Sequence, residues 1–279
     1  MSASRWFLGP LMLLTPLGCG SPAEAAAESI AHPDSLNARI EFFIQAPSTP
    51  APWRTVVFLH GHQPALDTAG GKVFSDWGVL SEYARLGYLA VAISLPGYGG
   101  STGPRDFAGP FTQHAVKAVI DRLQKDGRIN PKRVVIEGIS LGAVVGALVA
   151  AEAPSIAGLV LISGLYDLPA FLNEPRTSAA AAVRSAVFAQ TGGSQLALAE
   201  RSALRKASDI RASTLILNGA RDDRTDSNQA RQLADAINAA GGRAEVRIYH
   251  EFGHEIPFRA REPMVSAFIG STLNDESRR

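Results

Sequence analysis

The sequence predicts an α/β fold: a mostly parallel, doubly wound sheet of about eight strands with helices on both faces and a small helical insertion as a candidate lid. Three observations carry this. Residues 55–59, 88–93 and 159–162 are short continuous apolar runs, the pattern of strands buried on both faces. Stretches of helix length separate such runs, one with Val116, Val119, Ile120 and Leu123 on a single face. Glycine, proline or a polar cluster stops each run, as turn chemistry requires. With 46% hydrophobic and 19% charged residues, the chain has ample material for a core. The 27 Lys+Arg balance 26 Asp+Glu to a net charge of +1, with no basic stripe, so no nucleic-acid partner is expected. A single cysteine excludes an internal disulfide framework and a Cys-rich metal site.

Residues 1–20 carry one positive residue, Arg5, ahead of an apolar core of signal-peptide length. Two cleavage readings compete. Pro16-Leu17-Gly18-Cys19 resembles a bacterial lipobox, with Pro16 where leucine is usual, and would leave a lipidated Cys19 as a membrane attachment. Ala23-Glu24-Ala25 offers an ordinary A-x-A site instead. Either way export is expected, as a membrane-anchored lipoprotein or as a secreted or periplasmic protein. Residues 21–35, rich in Ala, Glu, Ser and Pro without periodicity, read as a flexible linker, and 36–279 as the folded domain.

Within that domain, residues 39–44 alternate weakly and suggest an edge strand ended by the prolines of 47–52. Residues 55–59 form a buried strand, 73–86 a helix stopped by Gly87, and 88–93 the next strand. The helix around Val116–Leu123 ends at Gly127; a strand at 133–137, a helix from Leu141 and a strand at 159–162 follow. Residues 165–208 make a long crossover. Its alanine-rich helix at 179–187 is broken by Gly192-Gly193 before a second helix at 195–206, and these read either as ordinary crossover helices or as a lid. Strands at 214–217 and 244–248 complete the set. Between them Asp226 and Gln229 have capping-box spacing for a helix ended by Gly241-Gly242.

In such sheets ligands sit beyond the carboxyl ends of the strands, so the residues there matter most. Gly138-Ile139-Ser140-Leu141-Gly142 is a G-x-S-x-G motif between an apolar strand and an apolar helix. A strand-to-helix turn this tight exposes Ser140 and forbids Cβ atoms two residues to either side. A serine needs a base. His254, after the last strand, is the candidate, with His250 as its rival. The base needs an acid; Asp222 is preferred, Asp223 is the alternative, Asp226 suits a helix cap, and Asp167 is expected to support a loop. The main-chain N–H groups of Leu141 and His62 are candidates for an oxyanion hole, with that of Gln63 as the alternative to His62. The His60-x-His62 pair lacks a nearby third ligand, so no metal is expected.

The order Ser140, Asp222, His254, with His60-Gly61 upstream, resembles the α/β-hydrolase superfamily over roughly residues 40–275. Residues 95–101 are similar to that superfamily's Pro-Gly-x-Gly-x-Ser loop, with Ser94 where an acid is frequent. Residues 129–133 resemble those of esterases and of prolyl-oligopeptidase-like catalytic domains, with no residues left for a propeller. The resemblance implies a serine hydrolase without cofactor, acting on a small-molecule carboxylic ester of small or medium size. The alternatives are a serine peptidase or aminopeptidase with the same triad, and a catalytically silent binding lipoprotein on the same fold. Gln63, Tyr98, Phe171 and Phe188 are candidate pocket residues, and Trp77 is expected in the core or the pocket wall. The oligomeric state is not legible.

Overall fold

The computed structural model describes residues 25–63, 69–173 and 177–274. Strands β1 (Ala26–His32), β2 (Ser35–Gln45) and β3 (Trp53–Leu59) precede helices α1 (Lys72–Asp76) and α2 (Val79–Arg85). Next come β4 (Leu89–Ile93), α3 (Pro110–Lys125), β5 (Ile129–Ile139), α4 (Leu141–Glu152) and β6 (Gly158–Ile162). The crossover holds α5 (Leu168–Asn173), α6 (Ser178–Thr191), α7 (Gln195–Glu200) and a 3₁₀ segment at Ala203–Asp209. Finally β7 (Ser213–Gly219), α8 (Ser227–Ala239), β8 (Ala244–Tyr249) and α9 (Phe258–Asn274) close the chain.

The strands form one eight-stranded sheet in the order β1-β2-β4-β3-β5-β6-β7-β8. β1 pairs antiparallel with β2 and β2 with β4, and every pairing from β4 to β8 is parallel. Alternation of side chains splits the core in two. Val57 and Leu59 point to the face covered by α3, α4 and α8, and Val56 and Phe58 to the face covered by α1, α2 and α9. Both faces of the central strands are therefore apolar, which is why those strands read as unbroken hydrophobic runs.

One charged cluster interrupts the second face. Glu137, on β5 with Val135's facing, is 2% exposed and accepts a hydrogen bond from Arg261 Nη1 of α9 at 2.9 Å. The Tyr83 hydroxyl of α2 lies 3.4 Å from Glu137 and 3.2 Å from Glu262. A buried carboxylate without such partners would be strongly disfavoured.

The fold class is the expected one, and several local expectations change. From Ala26 onward the linker is strand β1, paired with β2 from Ala26↔Ile44 to His32↔Ser35. Its composition hid this because an edge strand needs few apolar residues: only His32 among its seven residues is buried. The edge role assigned to 39–44 therefore passes to β1, and β2 lies inside with Ile40, Phe42, Phe43 and Ile44 buried. The helix at 73–86 is two helices, split at Gly78 in left-handed backbone with φ 74°. Trp77 at that break is 67% exposed, in neither core nor pocket. The second crossover helix stops at Glu200 and continues as the 3₁₀ segment. Asp226 caps α8 by accepting the Asn228 N–H at 2.8 Å. Gln229 does not close a capping box: its Oε1 accepts the N–H groups of Tyr166 and Asp167, at 2.8 and 2.9 Å, and so pins the loop after β6.

Candidate active site

Between the end of β5 and the start of α4 a single residue, Ser140, makes the turn, at φ 54° and ψ −114°. The two flanking glycines allow it: a Cβ on Gly138 would lie 2.2 Å from the Gly142 carbonyl oxygen, and one on Gly142 2.1 Å from that of Leu59. Ser140 N–H donates to the Ile162 carbonyl at 2.7 Å, tying the turn to β6. Leu141 is the first residue of α4, so its N–H has no intrahelical acceptor and stands at the positive end of the helix.

The loops after β7 and β8 bring two further groups to this point. His254 Nε2 lies 3.1 Å from Ser140 Oγ, and its Nδ1 lies 2.9 and 3.1 Å from the two Asp222 oxygens. The His254 and Asp222 side chains are 8% and 0% exposed. Asp222 also accepts the N–H groups of Arg224 and Thr225, each at 2.9 Å, and the Thr225 hydroxyl at 2.6 Å. Burial pushes the Asp222 carboxyl up, but the hydrogen bond and charge of His254 and the Thr225 donors outweigh it and hold it below the usual carboxylate range. Ser163, buried at the end of β6 with φ 51°, donates from Oγ to the His254 carbonyl at 2.7 Å and steadies that loop. The rivals stand elsewhere. His250 is exposed in the turn after β8, and Asp223 is exposed with its carbonyl accepting the Thr177 hydroxyl. Asp167 Oδ1 accepts the Ala170 N–H at 3.2 Å, a loop-supporting role.

The loop after β3 reaches the same place. A Cβ on Gly61 would lie 3.2 Å from Ser140 Cβ. His60 is sealed beneath: its Nδ1–H donates to the Gly61 carbonyl at 2.8 Å and its Nε2 accepts the Leu95 N–H at 3.0 Å, which fixes a neutral tautomer. Burial pushes its pKa down to about 4. His62 Nδ1 lies 2.8 Å from the Tyr98 hydroxyl, whose ring carries the Arg105 guanidinium at 4.0 Å. Burial, and then the Arg105 charge, lowers the His62 pKa. Among the described residues no group of three or more His, Cys, Asp or Glu could hold a metal ion.

Where the resemblance places an acid at Ser94, the structure supplies one from the neighbouring strand. Glu41 of β2 accepts from Ser94 Oγ and from the Gly100 N–H, both at 2.8 Å, and so ties down the loop of residues 95–101.

A mostly enclosed cavity of about 20 Å³ opens beside Ser140 and His254, with His62, Leu141 and Arg224 also on its walls. The expected pocket residues fare differently. Phe188 is 61% exposed, and Phe171 is buried under the Arg184 guanidinium, 4.6 Å from its ring centre. Gln63 turns its side chain to Gly70, whose N–H it accepts at 2.9 Å, and Tyr98 stands behind His62. The cavity is instead lined by Phe107, Val144, Leu165 and Val183, which sequence reasoning did not nominate. Phe107 stands out only through a backbone that sequence does not reveal, with φ 44°.

A serine on a strained turn, within hydrogen-bond reach of an imidazole that a buried carboxylate orients, can give its proton to that ring as its oxygen attacks. The fold and the matching family models place the chain in the α/β-hydrolase superfamily. Within it the chain belongs to the prolyl oligopeptidase family (peptidase family S9), whose model matches residues 109–269, a span holding Ser140, Asp222 and His254. The model of the X-Pro dipeptidyl-peptidase family (S15) also matches, over residues 21–172. An uncharacterized peptidase of Bacillus subtilis (strain 168), YuxL, is 26% identical in a 202-residue match that covers 67% of this chain and 29% of that protein. The chain thus spans less than a third of that relative's length. Among solved structures, a Pyrococcus furiosus esterase superposes with a TM-score of 0.67 at 16% identity, over 90% of this chain and 91% of that one. A puromycin-hydrolyzing peptidase of Mycobacterium tuberculosis gives 0.76 at 19% identity, over 90% of this chain and 40% of that one.

Proposed function

We propose that the protein cleaves a small or medium carboxylic ester through an acyl-enzyme on Ser140. His254 takes the Ser140 proton as Oγ bonds to the carbonyl carbon, then delivers it to the departing alcohol oxygen. Asp222 holds the ring in the tautomer with Nδ1–H and stabilises the imidazolium. The main-chain N–H groups of Leu141 and His62 receive the oxyanion. Water, deprotonated by the same ring, then releases the acid and restores Ser140 Oγ–H. The observation that carries this reading is the bridge made by His254, 3.1 Å from Ser140 Oγ on one side and 2.9 Å from Asp222 on the other.

The peptidase reading stays open because the matched family models and the YuxL relative carry peptidase names, and an amide differs in leaving group rather than in machinery. Fluorophosphonate labelling should modify Ser140 and should vanish in Ser140→Ala and His254→Ala; an unmodified wild type overturns the assignment. Comparing p-nitrophenyl esters with aminoacyl-anilides then separates the two reactions, with esters expected to turn over faster.

The same proposal includes export directed by residues 1–20, which lie outside the described residues together with Cys19. Intact mass of the protein from membrane and soluble fractions distinguishes lipidation at Cys19 from cleavage after Ala25, where the chain would begin at the first residue of β1.

A further inference from the structure

Residues 106–108, just ahead of α3, hold a conformation that the chain alone would avoid. Phe107 and Ala108 both lie in left-handed backbone, at φ 44° and 61°. Residues with a Cβ seldom adopt that region twice in succession. Side chains from three directions clasp the turn. Arg201 Nε, just past α7, donates to the Asp106 carbonyl at 2.7 Å. Gln190 of α6 accepts the Phe107 N–H at 2.8 Å. Gln113 of α3 donates to the Ala108 carbonyl at 2.7 Å. Strained backbone that its surroundings over-determine in this way marks binding and catalytic sites.

The outcome of this strain is the position of one ring. Phe107 is 3% exposed and forms part of the wall of the cavity beside Ser140 and His254, together with Val144, Leu165 and Val183. At about 20 Å³ the enclosed space is small, on the scale of a short acyl group rather than of a long chain.

We propose that Phe107 closes an acyl pocket and makes the enzyme selective for esters of short acyl chains, acetyl above all. This rests on the hydrolase reading given above. The acyl carbon bonds to Ser140 Oγ and stays there after the first half of the reaction, whereas the alcohol departs before water enters. The enclosed space beside Oγ therefore belongs to the acyl group, and the alcohol needs the open side. A hexanoyl chain has to displace Phe107 or Val183 to reach the same attack geometry.

The test is a series of p-nitrophenyl esters from acetate to octanoate. In the wild type kcat/KM should fall by at least about tenfold between acetate and hexanoate. Phe107→Gly keeps the turn, because glycine adopts positive φ without strain, and should raise the hexanoate-to-acetate ratio by about tenfold or more. Val183→Ala, which leaves the turn alone, should move the ratio the same way by a smaller factor. A wild type that cleaves octanoate as readily as acetate overturns the proposal. So do folded variants with an unchanged ratio, and so does discrimination that follows the alcohol rather than the acyl group. Labelling of Ser140 with a small fluorophosphonate is read alongside. Labelled enzyme with a flat acyl profile removes the pocket assignment alone; unlabelled enzyme removes the hydrolase reading and the pocket with it. Should neither variant fold, the wild-type series decides.

Discussion

Two carboxylates are buried close to the Ser140 turn, and their neighbours make them opposites. Glu137 lies three residues before Ser140 on β5, faces the sealed side of the sheet and meets Arg261 at 2.9 Å. Asp222 lies beyond the end of β7, on the side that opens to the cavity, and meets His254 at 2.9 Å. A guanidinium does not release its proton under any condition the fold survives, so the Glu137 pair is a fixed fastening between β5 and α9. An imidazole gains and loses a proton readily, so the Asp222 pair can follow a reaction. The remaining donors to Asp222 come from Thr225, Arg224 N–H and Asn218, all neutral groups, which leaves its charge directed at the histidine. The lesson is that the chemistry of a buried acid is set by whether its partner can let go.

The hardest blow to this comparison comes from Asp222→Asn. With the fold retained, kcat should fall by about 10⁴-fold, the scale seen when a triad acid loses its charge; steady-state kinetics within tenfold of wild type would break the distinction. Next is Arg261→Met, which strands Glu137 as an unpaired buried charge. Denaturant unfolding should show a loss of about 3–5 kcal/mol, with activity per folded molecule preserved, and Glu137→Leu added to it should restore most of the loss.

The buried ring of His60 extends the contrast and gives a pH test. His60 has a folded-state pKa of about 4, below its unfolded value, so the folded state binds fewer protons between those two points. Stability is therefore full above pH ~6.5 and declines as pH falls toward 4, by on the order of 3 kcal/mol. His60→Gln should flatten that slope in melts taken across the window. An unchanged slope would mean that His60 is not the sealed ring described. Asp222, depressed in its turn, adds stability that is present above its ordinary carboxylate range and lost as pH falls further. Smallest of all, Trp77→Ser and Phe188→Ser should shift stability by no more than about 0.5 kcal/mol in the same melts, because both side chains are mostly in water.

What the sequence disclosed follows the strength of each local signal. The central strands and the Ser140 turn were legible because a doubly buried strand and a one-residue strand-to-helix junction leave few alternatives. Asp222 could be separated from Asp223 only by preference, since which of two adjacent acids faces inward depends on the turn that Arg224 and Thr225 complete. The pocket was misjudged for a geometric reason. On α6, Ala180, Arg184, Val187 and Thr191 form the buried stripe. At about 100° per residue, Val183 and Phe188 flank that stripe on opposite sides. Periodicity locates the stripe, but only the packed structure shows that the cavity lies on the Val183 side. α9 went unmarked because it carries Pro263 and buries Glu137's partner Arg261 beside Val265 and Ile269, so its inward face is not a clean apolar stripe. β1 was hidden by the opposite circumstance, an edge position that asks little of its side chains.

The close approach of main chain to main chain at Gly138 and Gly142 has an implication for how such a scaffold changes over time. Residue 140 is put in place by carbonyl and amide groups pressed against one another, and its own side chain contributes nothing to that placement. Placement and reactivity are therefore separable: a thiol or a carboxylate installed at position 140 would emerge at the same spot, facing the same ring. A lineage built on this bend can exchange the side chain at position 140 without rebuilding the frame, whereas a single methyl added at either glycine would forfeit the placement itself.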